Sequence, residues 1–270
     1  MGELEESRVE SLPGVRSVVG NAALRWLRSG LHDVMRAPAA SLFYGVVLAL
    51  MGLALTALLD RAAYALAVIT GFLLVGPFLA MGLYDISRRL ERGQPVRLVA
   101  TLTAWRSNLP AIGLYAVILT LLMAVWIRVS VVVVALFFEG GVPTAATLVR
   151  DILAAEEGLV FVLAYVAAGA GFALLVFATS AVSLPMLLDR SRMDTISAMI
   201  VSFNAVRLNF GPMLLWAGLI ALVTAIGFAT FYVGLIVAIP VVGHATWHAY
   251  RDVVEGGEEP SKAVRGRELP

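Results

Sequence analysis

The chain has 270 residues, 60% of them hydrophobic and only 14% charged, with no cysteine and a formal net charge of +1. A soluble domain is nearer half apolar and a quarter charged, so a soluble fold is excluded, as are disulfides, thiolate chemistry and cysteine-based metal sites. Apolar runs longer than the roughly 18 residues of a spanning helix, rather than short alternating segments, exclude a β-barrel and point to an all-α polytopic membrane protein.

Residues 1–19 read as a flexible N-terminal tail, 20–253 as the transmembrane domain and 254–270 as a flexible C-terminal tail. The first apolar run begins only near Ala39, after a stretch holding Arg25, Arg28, Asp33 and Arg36, which is not the pattern of a cleavable signal peptide. Within Asn21–Arg36, Leu24, Leu27, Leu31 and Val34 recur at helical spacing and predict an amphipathic helix in the cytoplasmic interface. Pro38 then opens a first span over about 40–59, and Asp60 and Arg61 separate it from a second over about 63–84. Leu98, Leu102 and Trp105 form the next stripe. Pro110 leads a third span through Trp126, with an apolar continuation past Arg128 to Phe138. Pro143–Thr144 and Gly158 bracket a short outer-loop helix near Thr147–Ala155, in a loop holding Glu139, Asp151, Glu156 and Glu157. A fourth span covers about 159–184. Ile196, Met199, Ile200, Phe203 and Val206 form a third stripe, followed by Pro212.

The last apolar run, from Pro212 to about Tyr250, holds no charge. As one helix it would be nearly 60 Å long, about twice the hydrocarbon thickness. Two helices with a turn near Gly227–Tyr232 fit instead. Charge placement agrees, because cytoplasmic loops collect Arg and Lys. With six spans and both termini inside, only Arg61, Arg128 and Arg150 fall outside, against seventeen cations inside.

A three-fold internal pattern organises these elements: an amphipathic stretch, a proline, one span, and a second span ending in an Asp/Arg cluster. The units run over about 20–93, 94–193 and 194–253, each a pseudo-repeated hairpin. They end at Asp85 with Arg88, at Asp189 with Arg190, and at Arg251 with Asp252. Pro77, Pro185 and Pro240 predict bends or helix ends.

Candidate chemistry is sparse. His244 and His248 share one helix face and have the spacing of paired metal ligands, yet a helix end at the headgroups accommodates Trp, Tyr and His equally well. Arg128 interrupts an apolar run but falls at the outer interface, where it can snorkel. Asp85, Asp189 and Asp252 read as helix ends at the cytoplasmic headgroups, and an enzyme would need His244, His248, Asp252 and Asp85 to converge on one pocket. No Asp or Glu lies mid-span, against ion-coupled transport. The acidic outer loop reads as solvated rather than catalytic. Ala217, Ala221, Ala225 and Ala229 form a small-residue ridge, and Gly169, Gly171 and Ala173 crowd the fourth span, both suited to close helix packing. The Arg clusters flank apolar runs instead of forming a basic domain, which excludes nucleic acid as a partner.

The stretches Gly20–Gly30, Ser41–Gly45, Gly71–Asp85, Ser87–Gly93 and Gly243–Asp252 resemble the bacterial predicted integral membrane proteins grouped as domain of unknown function 2189. The resemblance covers about Arg16–Val253. It implies a multi-pass protein of the bacterial cytoplasmic (inner) membrane and carries no activity. Together these readings lead to an expectation of a non-enzymatic structural or accessory subunit of a membrane complex, without cofactor. Its partners are membrane lipids and other membrane subunits or a second copy. A transporter or channel for a lipid or neutral small solute is the alternative.

Overall fold

The computed structural model describes residues 12–58, 62–138, 152 and 157–255, with only the backbone path for 55, 58 and 62–74. The Asp60–Arg61 turn and the outer-loop helix expected at 147–155 lie outside the described residues. Every regular element among them is helical, and the single β contact is an antiparallel bridge between Val15 and Val254.

Helix α1 (Ala22–Arg36) is amphipathic as expected, but of the expected stripe only Val34 is buried and Leu27 partly so. Ala22, Ala23, Trp26, Gly30 and Asp33 pack inward, while Leu24, Leu31 and Met35 are exposed. Small residues bring the α1 backbone against the C-terminal helix: a Cβ on Gly30 would lie 2.7 Å from Ala245 N. Proline disfavours a helical residue before it and is at home in a first helical turn. Pro38 accordingly starts α2 (Pro38–Leu58), which leaves α1 at 108°. Helix α3 (Ala62–Glu91) runs through Pro77, and Gly93, with φ +64°, follows its end. At the second stripe the structure differs from the expected amphipathic helix: Leu98–Leu102 (α4) is a short turn continued by the 3-10 segment Ala104–Asn108.

Helix α5 (Leu109–Phe137) carries Pro110 in its first turn and is unbroken past Arg128. It spans about 43 Å at 1.5 Å per residue. Helix α6 (Gly158–Ser180) packs against it through an aromatic ladder, with Trp126 stacked on Phe172 at 5.4 Å and Phe138 edge-on to Phe161 at 5.0 Å. A turn at Ala181–Val182 separates α6 from α7 (Ser183–Asp189). Helix α8 (Thr195–Leu208) is capped by Asp194, whose carboxylate accepts from Ser197 N at 2.9 Å. It repeats the α1 pattern. Ala198, Ser202 and Ala205 are buried, while Ile196, Ile200 and Phe203 are exposed.

The last apolar run is broken as its length required. Helix α9 (Phe210–Ala229) ends in a turn, and α10 (Leu235–Val253) begins after it. Phe231 and Tyr232 take positive φ of 52° and 69°, uncommon for residues with a Cβ. Thr230 secures the turn by donating to Gly227 O and accepting from Gly234 N, both at 2.8 Å.

Helix α10 is the hub, packing against α1, α2, α3 and α9. Residues 14–18, read from sequence as part of a free tail, are tied to its end. Arg16 N donates to Val253 O at 2.8 Å, and Asn209 holds Val18 N and Arg16 O. Both ends of the described chain therefore meet at one end of the molecule. Among the described residues three segments are long and apolar enough to cross a membrane, 98–137, 158–189 and 210–229, and the bent α1–α2 pair passes as a fourth if it is counted as one span.

Candidate functional site

The buried polar residues gather at the end where the chain termini meet. At its centre, His244 on α10 is fully buried between two serines, with Nε2 2.9 Å from Ser41 Oγ on α2 and Nδ1 2.8 Å from Ser87 Oγ on α3. Ser87 donates to Asp33 Oδ2 on α1 at 2.7 Å, so toward His244 it can only accept, which places a ring proton on Nδ1. His248, one turn below, reaches the same Asp33 oxygen at 2.8 Å. Burial raises the Asp33 carboxyl, but the hydrogen bonds from His248 and Ser87 and the charges of the two imidazoles outweigh it and hold the group below its ordinary 3.8. Four helices are thus pinned by one chain of hydrogen bonds.

A charged rim surrounds this chain. Asp85, fully buried, accepts from Arg88 Nε at 3.1 Å and Arg89 Nε at 2.6 Å on its own helix. Arg88 also reaches Leu188 O at 3.0 Å. Asp189 on α7 binds Arg92 at 3.1 Å and Tyr250 at 2.9 Å and lies 3.6 Å from Arg251. Glu91 takes Trp247 Nε1 and Arg251, and Asp252 takes Trp26 Nε1 at 2.9 Å and Arg25. Asp189 and Asp252 each tie one helix to another, whereas Asp85 pairs with arginines of its own helix.

The structure does not bring the two histidines together as ligands. Their Nε2 atoms go to different partners, and among the described residues no group of three or more His, Asp or Glu is arranged to hold a metal. Nor do His244, His248, Asp252 and Asp85 converge on one pocket. Asp85 faces its own arginines, Asp252 faces Trp26, and Ser41, Ser87 and His244 are buried. Arg128 is exposed on the far part of α5. The ridge residues Ala221, Ala225 and Ala229 are exposed as well. Gly169 does serve close packing, since a Cβ there would meet Trp126 at 3.2 Å.

Further along the spans a cleft of about 600 Å³ opens between α3, α5, α6, α9 and α10. Its wall is mostly aliphatic and aromatic, with Trp126 and Phe172 among its lining. Tyr84, Tyr115, Ser180 and Trp216 line it nearer the polar end. Tyr115 and Trp216 are fully buried; the Tyr115 hydroxyl lies against that of Ser180, and Trp216 Nε1 has no hydrogen-bond partner among the described residues.

Sequence reasoning missed Asp33, Ser41 and Ser87 as partners of the histidines, and Tyr115 and Trp216 altogether. One signal was present. Ala22, Trp26, Gly30 and Asp33 lie on a single helical stripe, so a small-residue face competed with the leucine face of the same helix. Ser41 and Ser87 gave none, since serine is unremarkable at helix ends.

No curated protein and no solved structure matches the chain. Residues 65–189 match the model of the family described as predicted integral membrane protein (DUF2189).

Proposed function

We propose that the chain is a six-span membrane protein with no enzymatic role, acting as a structural or accessory subunit of a membrane complex. The carrying observation is how little its spans cover one another. Of the most apolar eighteen-residue window in 98–137, 158–189 and 210–229, the share buried is 0%, 6% and 17%. Helices of a self-sufficient bundle each bury a stripe against neighbours. The uncovered alanine ridge of α9 adds a surface that another helix could approach closely. The polar groups point the same way, because the imidazoles and carboxylates at the packed end are engaged in ties between and within helices.

The six-span reading draws on the bridge between Val15 and Val254, since an even number of crossings returns both termini to one side. The excess of cations assigns that side to the cytoplasm of a bacterial cell. In the three-unit reading, α1 and α8 are interfacial helices, and their exposed Leu24, Leu31, Ile196 and Phe203 face acyl chains. Native mass spectrometry of the protein released from its own membrane in mild detergent tests the assignment. A discrete assembly of constant stoichiometry, with itself or with other subunits, is expected; a lone monomer contradicts it.

A second reading, a carrier or channel for a lipid or neutral solute, is favoured by the apolar cleft alone. Protein-dependent flux of a lipid or neutral solute in reconstituted vesicles would support it.

A further inference from the structure

The cleft carries one unpaired donor, Trp216 Nε1, with the Tyr115 hydroxyl in the same apolar wall, and that combination selects a ligand. A buried donor with no partner loses its hydration without return. Trp216 Nε1–H can only donate, and Tyr115 has a hydroxyl proton to give. Both therefore call for an oxygen acceptor. Among the described residues no Lys, Arg, Asp or Glu lines the cleft, so none of them compensates a phosphate, a carboxylate or an ammonium there. The acceptor is neutral, and the part of the ligand that lies within the cleft is otherwise apolar. The volume of about 600 Å³ falls within the roughly 300–1,000 Å³ of small-molecule sites.

Depth narrows the class. Tyr115 and Trp216 each lie six residues into α5 and α9, about 9 Å along the helix, and Ser180 closes α6. Trp126 lies eleven residues beyond Tyr115, about 16 Å further into the span. The polar tips thus sit just inside the end that holds the charged rim, with the apolar part of the cleft running toward mid-span. A membrane glycerolipid presents its groups in this order: a charged head outside, ester carbonyls beneath it, then an acyl chain.

We propose that the cleft is a binding site for one membrane glycerolipid, with its acyl-ester carbonyl oxygens accepting from Trp216 Nε1 and Tyr115 Oη and one acyl chain laid along Trp126 and Phe172. The site deepens the carrier reading and shares only the cleft with it. A lipid held without flux leaves the site standing and counts against transport.

The test compares dioleoylphosphatidylcholine with its diether analogue, which keeps head and chains but lacks the carbonyls. Each is titrated into the delipidated full-length protein and followed by native mass spectrometry. The ester lipid should be retained about tenfold better, as two hydrogen bonds predict. Trp216→Phe and Tyr115→Phe should each erase several-fold of that preference and leave diether binding unchanged. Trp216→Phe removes no hydrogen bond from the empty protein and Tyr115→Phe removes only the contact with the Ser180 hydroxyl, so melting temperature serves as a folding control and should not fall by more than a few degrees. Equal retention of the two lipids, which is annular lipid only, overturns the proposal. So does an ester preference that survives both substitutions, or displacement of the ester lipid by decylubiquinone at equal concentration.

Discussion

Asp33 is where single-residue chemistry matters most, because one carboxylate oxygen serves both Ser87 and His248. Asp33→Ala leaves Ser87 and His248 without that acceptor, at a cost of about 1–3 kcal/mol, read as a lowered melting temperature in detergent. Its folded carboxyl titrates below its unfolded value, so its contribution is fully present above the ordinary carboxylate range. It is lost as pH falls through the depressed native value, and a melting series through pH 5 to 3 should show the decline. In Asp33→Asn that part of the slope should be missing. Asp194 is a simpler case. It caps α8 through Ser197 N, and Asp194→Ala should cost about 1 kcal/mol, measured the same way. The sequence exposed the two histidines as a pair but not the group that joins them. Their i, i+4 spacing is visible along one helix, whereas Asp33, Ser41 and Ser87 arrive from three other helices.

At the scale of elements, contact with α10 depends on glycine. A Cβ on Gly45 would sit 2.7 Å from the Ile236 carbonyl carbon, and one on Gly30 the same distance from Ala245 N. Both neighbours are backbone and cannot swing aside. Gly45→Ala and Gly30→Ala should each destabilise the fold by about 1–3 kcal/mol or more, whereas Gly113→Ala, with open space around it, should not. Some helix boundaries were legible: Pro38, Pro110 and the break after Ala229 fall as the sequence required, whereas Pro77 and Pro240, read as bends or helix ends, lie inside α3 and α10, and Pro185 lies in the first turn of α7. Helix faces were less legible. In α1 and α8 much of the large apolar stripe points outward, and small residues pack inward beside Trp26, Val34, Val201 and Val206. A leucine stripe marks the core only where the other side is water. Where the surroundings are apolar, as the membrane reading holds, close packing of small residues decides instead.

For the whole molecule, one packed end and long uncovered spans are the defining arrangement. The packed end is cross-tied between helices: Arg88 and Arg92 of α3 reach residues 188 and 189, and Arg251 reaches Glu91. Asp189→Ala would strip the carboxylate from Arg92, Arg251 and Tyr250 together, and it should cost more than removing the exposed Arg25–Asp252 pair. Composition alone announced a membrane protein. The cleft stayed hidden because Tyr115 and Trp216 are ordinary span residues until the fold places them around one space. The central claim is six crossings with both termini in the cytoplasm, and the absence of native cysteine makes it directly measurable. Val142→Cys, Val233→Cys and Ala263→Cys variants would be exposed in intact cells to a membrane-impermeant thiol reagent. The six-span account predicts labelling at 142 and 233 and protection of 263 until the cells are lysed. Labelling of Ala263→Cys in intact cells would contradict it.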